Sequence, residues 1–481
     1  MNENPAALLP ELFPAGAAVA GLLAGAWLPR RRQWAVAVLA AAACAAGLAA
    51  TAVTMATGRE QTVFAGTFAV DAATGAGRLT VLGGLLLVLA MSAETFRGRA
   101  REAEYYVLLL LTATGTLVMT GANDLLTLFS GYLLASVPGY ALAGFARDRA
   151  GGEAALKYYL MGALLGTVML AGAVLLYGAG GTTWYPGLRE ALPGAPPGLV
   201  AAGLVGVLAG LMFKSAGVPA HFWLPDAAEG ARPPVAAYLT TLPKIGGLIG
   251  GFRLLHQALG GSGVDWPLLL AVLAAATMTL GNLAAFFQDS AARLLAWSAI
   301  GQAGYLLMAL AVADLGEPAR RALLFYLAAY TVTNLGAFAV VCELPRARTL
   351  ADYRGLARRR PGLAAVLLVC LLGLVGTPPT AVFLGKLEVF TAALDGGFGW
   401  LAVLAAANTV ASLFYYLRWL APVFRSPPPP PPAPGGGRPE PLATALGRWA
   451  AAAAYLAAAL SLLLGIAAGP VLPLTTGPLL G

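Results

Sequence analysis

The chain has 481 residues, 59% hydrophobic and 11% charged, with a formal net charge of +8. A mean hydropathy of +0.76 excludes a water-soluble globule, and in a membrane protein the positive charge reports topology rather than a nucleic-acid surface. The apolar runs match a hydrocarbon core of roughly 30 Å, which takes about 20 helical residues to cross. No ten-residue alternation of the kind that builds a barrel is present, so the spans are predicted as helices.

Fourteen spans are expected, beginning near Leu8, Trp34, Leu79, Tyr105, Asp124, Ala154, Leu199, Val235, Trp266, Ala291, Arg321, Leu363, Leu401 and Leu446. Arginines concentrate in the gaps after odd-numbered spans, as in Arg30–Arg32, Arg97/Arg99/Arg101, Arg147/Arg149 and the run from Arg346 to Arg360. Gaps after even-numbered spans hold fewer, such as Arg59, Arg78 and Arg189. By the positive-inside rule, odd-numbered spans end in the cytoplasm and both termini face outside. Gly21 and Gly25 in GLLAG signal close helix packing. Residues 425–444, rich in Pro and Gly, read as a cytoplasmic linker before the last helix in 445–481.

Two spans carry internal breakers. In span seven, Lys214 precedes SAGVPAHFWLPDAAEG, with Pro219 and Pro225. In span twelve, Pro378 and Pro379 lie about two turns before Lys386. Proline frees backbone carbonyls, which a membrane tolerates only beside protein or a hydrated cavity. Two interrupted helices five spans apart, each with a lysine, fit an inverted-repeat transporter.

The basic residues are divided in a way that suggests proton chemistry. Only four are lysines, Lys157, Lys214, Lys244 and Lys386, and each lies in or at the edge of an apolar run; the other 26 are arginines. Arginine keeps its proton at all accessible pH, whereas a buried lysine can release one. Intramembrane ammonium groups are costly unless paired, hydrated or neutral, so Lys214, Lys244 and Lys386 are candidates for a proton relay. Lys157, nearer a helix end, either joins the relay or snorkels to the surface. His221 is either a relay or a side chain capping the broken helix. Glu388 is an intramembrane carboxylate expected to pair with a lysine on a neighbouring span. Asp124 and Asp226, at span ends, read as helix caps. The cysteines Cys44, Cys342 and Cys370 are isolated and no CxxC pair exists, so neither a zinc nor an iron–sulfur site is expected.

The segment FKSAGVPAHFWLPDAAEGARPPVAAYLTTLPKIGG resembles the signature of the antiporter-like membrane subunits of respiratory NADH–quinone oxidoreductase and the Mrp cation/proton antiporters. NDLLTLFSGYLLASVPGYALAGF, EAALKYYLMGALLGTVMLAGAVLLYG and RLLAWSAIGQAGYLLMAL favour subunit N among them, while HFWLPDA leans towards the L, M and Mrp members. The resemblance runs from about Thr112 to Val423. It implies an all-α polytopic membrane protein of about 14 transmembrane helices with broken helices 7 and 12. It also implies inverted five-helix repeats, spans 4–8 in residues 104–260 and spans 9–13 in 261–424, after three N-terminal helices in 1–103. Lys214, Lys244, Lys386 and Lys157 fall on the family's lysines of spans seven, eight, twelve and six.

The resemblance further implies a subunit of an H+-translocating NADH:quinone oxidoreductase in a bacterial inner membrane, moving protons through buried lysines and water. This chain would carry no cofactor; FMN, iron–sulfur clusters and the quinone site would belong to partners. Those partners would be antiporter-like subunits of M/L type and small membrane subunits of A/J/K type. A subunit of a Na+/H+ antiporter or a membrane-bound hydrogenase, or a non-conducting structural paralogue, are the alternatives. Two departures stand out. Leu133, with Tyr132 beside it, replaces the family's span-five glutamate, so Lys214 lacks the charge that would stabilise its protonated form. Gln302 stands where subunit N often has histidine.

Overall fold

The computed structural model describes residues 4–426, 447–477 and 479–480. Its helices in chain order are α1 (Leu9–Trp27), α2 (Trp34–Ala56), α3 (Ala72–Phe96), α4 (Glu102–Gly121), α5 (Leu125–Ala143), α6 (Arg149–Gly180) and α7 (Tyr185–Ala191). They continue with α8 (Pro197–Ser215), α9 (Trp223–Gly230), α10 (Pro233–Ala258), α11 (Trp266–Ala285), α12 (Ala291–Ala311) and α13 (Glu317–Glu343). The last are α14 (Leu356–Arg359), α15 (Pro361–Val375), α16 (Ala381–Asp395), α17 (Gly399–Phe424), α18 (Arg448–Ile466) and α19 (Ala468–Val471). A short antiparallel hairpin, β1 (Gln61–Val63) with β2 (Phe68–Val70), links α2 to α3.

Among the described residues, twelve helices are long and apolar enough to cross a membrane. The other two expected spans fall on helices outside that set. One is α10, whose residues are all buried in protein except Pro233 and His256, and which therefore tolerates Lys244 and Arg253. The other is the discontinuous pair α15 and α16. Most of the predicted linker, residues 427–444, and the predicted start at Leu446 lie outside the described residues.

Polar residues set several helix starts. Asp124 caps α5 by accepting from the Leu126 and Thr127 amides at 2.7 and 3.1 Å. Asp148 accepts from the Gly151 amide at 2.8 Å. That cap starts α6 at Arg149 rather than at the predicted Ala154. Small residues then bring helices together, as the GLLAG glycines do: a Cβ at Gly25 would lie 2.6 Å from the Ala103 Cβ. The backbones of α4 and α5 come together in the same way, where a Cβ on Gly115 would be 2.2 Å from the Ala135 nitrogen.

Buried ion pairs tie distant helices. Arg78 on α3 donates to both Glu11 oxygens on α1, at 2.7 and 2.8 Å. Arg253 on α10 pairs with Asp71 before α3, both side chains being fully buried. The C-terminal segment closes over this pair. The Leu480 amide donates to Asp71 at 3.1 Å, and its carbonyl accepts from Gln257 at 2.6 Å.

Candidate functional site

Both predicted helix breaks are present, and each leaves terminal carbonyls that need donors. After α8 the chain turns at Ala216, which adopts φ +57°, and resumes as α9. The Met212 carbonyl accepts from the Gly217 amide at 2.7 Å, and the Trp223 indole approaches the Phe213 carbonyl at 3.3 Å. After α15 the chain turns at Gly376, with φ +90°. Here side chains supply the donors. Gln302 donates to the Leu374 carbonyl at 2.8 Å, and Lys386 donates to the Val375 carbonyl at 2.8 Å.

Three lysines sit in the interior, each facing a tyrosine ring. Lys214, in the last turn of α8, is 1% exposed. Its ammonium has no hydrogen-bond partner among the described residues and lies 5.2 Å from the Tyr132 ring centroid. Lys244 on α10 is fully buried, donates to the Ala299 carbonyl of α12 and lies 5.8 Å from the Tyr330 ring. Lys386 on α16 also donates to Thr409 Oγ1 at 3.1 Å and lies 4.1 Å from the Tyr305 ring. An aromatic face attracts a cation by about 0.5–2 kcal/mol, most where water is excluded. These rings therefore partly offset the cost of burying the charge without fixing the proton on it.

The three positions are linked by helices and polar groups. Gly247 lies one turn beyond Lys244 on α10, and a Cβ there would be 3.0 Å from the Lys214 Cβ. Lys244 and Lys386 are joined along α12. Ala299 accepts from Lys244, and Gln302, one turn on, accepts from Tyr326 at 2.6 Å while donating to the carbonyl beside the one Lys386 holds. Tyr305, another turn on, receives a hydrogen bond from Thr409 at 3.2 Å. Tyr330 donates to the Thr240 carbonyl at 2.9 Å, one turn before Lys244. Tyr305, Tyr326 and Tyr330 escaped sequence reasoning because nothing in the primary pattern distinguishes a core tyrosine from one lining a site. The i, i+4 spacing of Tyr326 and Tyr330 on a helix was the only signal available.

The other candidates lie elsewhere. Lys157 is not brought to the buried lysines: its side chain is 44% exposed and held at 2.7 Å by both Glu153 and Asp226. Asp226 is therefore an ion-pair centre rather than a helix cap, because Arg293 of α12 also binds it at 2.7 Å. These contacts, with Ser290 donating to Glu229, fasten α9 to α6 and α12. Glu388 pairs with an arginine, not with a lysine. Arg321 on α13 donates to it at 3.0 and 2.9 Å, since Glu388, two residues from Lys386, points away from the face that holds the lysine. His221 is 1% exposed at the break after α8, with its ring beside Phe222 and Trp297. Leu133 is 43% exposed. On α5 it is Tyr132, not Leu133, that faces Lys214.

Residues 122–412 match the family model described as NADH:quinone oxidoreductase/Mrp antiporter, TM. NADH-quinone oxidoreductase subunit N of Mycobacterium sp. (strain JLS) is 52% identical over 473 residues, 98% of each chain. This chain belongs to the NADH-quinone oxidoreductase subunit N family. NADH-quinone oxidoreductase subunit N 1 of Streptomyces griseus subsp. griseus is 53% identical, again over 98% of each chain. Among solved structures, a chain of respiratory complex I from Thermus thermophilus with bound aureothin is 34% identical with a TM-score of 0.81, covering 97% of this chain and 100% of that one. A chain of the Mrp complex from Dietzia sp. DQ12-45-1b superposes with a TM-score of 0.86 at 23% identity, over 98% and 96% of the two chains, which is a likeness of fold. The leaning of HFWLPDA towards L, M and Mrp members is thus outweighed by the chain as a whole. This subunit N family member is a multi-pass membrane protein.

Proposed function

We propose that this chain translocates protons across a bacterial inner membrane as the N-type subunit of an NADH–quinone oxidoreductase. NADH oxidation and quinone reduction belong to partner subunits that carry FMN, iron–sulfur clusters and the quinone site. Neighbouring antiporter-like subunits of M/L type and small subunits of A/J/K type complete the membrane arm. Both termini face outside, and spans 4–8 and 9–13 form inverted repeats around the two broken helices.

The observation that supports this reading most is the set of three buried lysines, each beside a tyrosine ring, with the Lys214 ammonium unpartnered among the described residues. An ammonium fixed by a carboxylate is a structural charge. One that faces an aromatic ring and a backbone carbonyl instead can lose its proton and regain it as neighbouring charges change. Protons pass from Lys214 to Lys244 across the α8–α10 contact, then through water along the Ala299–Gln302 face of α12 to Lys386. His221, at the α8 break, exchanges protons with water entering there. Lys157, at the surface, takes part by holding α9 in place through Asp226, and Glu388 shapes the Lys386 end through Arg321.

The test is redox-driven proton uptake by inverted membrane vesicles carrying Lys214→Met, normalised to assembled complex. A severalfold loss of uptake per NADH oxidised, with assembly intact, is expected. Wild-type uptake in an assembled Lys214→Met complex overturns the relay.

A further inference from the structure

Two voids meet beside the N-terminal half of α3, away from the buried lysines. The first, about 350 Å³, opens at the helix ends where α2 stops and α3 begins, and its walls include Thr54, Arg59, Glu60 and Arg78. The second, about 390 Å³, runs down the crevice between α3, α13 and α18, lined by apolar groups such as Gly83, Leu87, Leu324, Val332 and Leu460. Leu79 and Leu474 line both, so the two voids adjoin beneath the C-terminal segment as a cleft whose mouth carries charged groups and whose depth is almost wholly apolar.

The charges at the mouth are not equivalent. Arg78 is neutralised by Glu11, and Asp71, also in the wall, by Arg253. Arg59 and Glu60 form no ion pair within salt-bridge distance among the described residues, and both are exposed, although Glu60 also feels the charge of Arg320 and accepts from the Ala72 amide. They present one cation and one anion side by side at the level of the helix ends. Within the crevice, the two adjacent glycines play different parts. A Cβ on Gly84 would collide with Leu242 at 2.5 Å, whereas one on Gly83 would meet nothing within 4 Å. Gly84 serves helix packing; Gly83 leaves room.

We propose that this cleft holds a zwitterionic phospholipid, its phosphate on Arg59, its amine facing Glu60 and one acyl chain in the crevice between α3, α13 and α18. The occupant follows from the charge pair and the polarity gradient. An apolar furrow on a membrane-spanning face is filled by hydrocarbon in a bilayer, and a phosphate seats on an otherwise unpaired guanidinium. The bound chain would cement α18 and the C-terminal segment to α3, which helical packing alone leaves with an open seam.

The assembled complex should be purified in mild detergent and its retained lipids extracted and quantified by mass spectrometry. Gly83→Phe fills the crevice and Arg59→Gln removes the phosphate contact; each is expected to lower the retained amine-bearing phospholipid severalfold. Gly16→Phe, on an open exposed face of α1, leaves it unchanged. Glu60→Gln is expected to shift the retained lipid from amine-bearing to acidic species. If Gly83→Phe prevents assembly, Arg59→Gln and Glu60→Gln decide. Unchanged phospholipid in the cleft variants overturns the proposal. So does loss of an isoprenoid quinone in its place, or cross-linking of a partner subunit's helix into the crevice.

Discussion

Replacing Lys386 with methionine separates its proposed proton-carrying role from its structural one. Methionine keeps a flexible unbranched stem but removes the ammonium. Lost are the hydrogen bonds to the Val375 carbonyl at 2.8 Å and to Thr409 at 3.1 Å, and the charge over Tyr305 at 4.1 Å. Hydrogen bonds to a charged group contribute about 1.5–3 kcal/mol each and a desolvated cation–π contact about 2 kcal/mol, so about 5–8 kcal/mol of gross interaction disappears. The cost of holding a desolvated ammonium, several kcal/mol, disappears with it. What remains is mainly the unpaired Val375 carbonyl, about 1–3 kcal/mol. A penalty of that size is small against the packing of so many helices, so Lys386→Met should assemble. It should nonetheless translocate severalfold fewer protons per NADH, measured with a pH-sensitive dye in sealed vesicles alongside native-gel quantification of the complex. Lys386→Arg keeps the charge but cannot release its proton, and should be equally impaired. Wild-type pumping by assembled Lys386→Arg would refute the argument, because a fixed charge would then be all that the site requires.

Lys157→Ala, at a half-exposed ion pair, should leave assembly intact and lower pumping less than either Lys214→Met or Lys386→Met; a loss equal to theirs would place Lys157 on the proton path itself. Asp71→Asn leaves Arg253 buried without its counter-ion and should destabilise the subunit by about 3–5 kcal/mol, read as a lower unfolding temperature in detergent; an unchanged midpoint contradicts the burial seen here. Gly115→Ala forces α4 from α5 and should destabilise by about 1–3 kcal/mol, whereas Gly178→Ala, with nothing near its Cβ among the described residues, should leave the midpoint unchanged or raise it slightly in the same thermal assay.

Much of this molecule is determined by its sequence alone, because the bilayer reduces the fold to a count of apolar helices and their breaks. Hydropathy yields the spans, proline and glycine yield the interruptions of spans seven and twelve, and the scarcity of lysine marks Lys214, Lys244 and Lys386. Residues near in sequence can also be excluded as partners by helical geometry, as Glu388 was for Lys386. What linear pattern cannot supply is the identity of neighbours across helices. Tyr132, Tyr330 and Tyr305 come from α5, α13 and α12 to face lysines on α8, α10 and α16, and nothing local to those tyrosines announces it. The same holds for Arg321 claiming Glu388, for Asp226 gathering Lys157 and Arg293, and for Tyr132 rather than Leu133 meeting Lys214. Helix formation depends on contacts within a turn or two, which the sequence lists. The environment of a buried charge depends on which helix faces rotate towards each other, and only tertiary packing decides that.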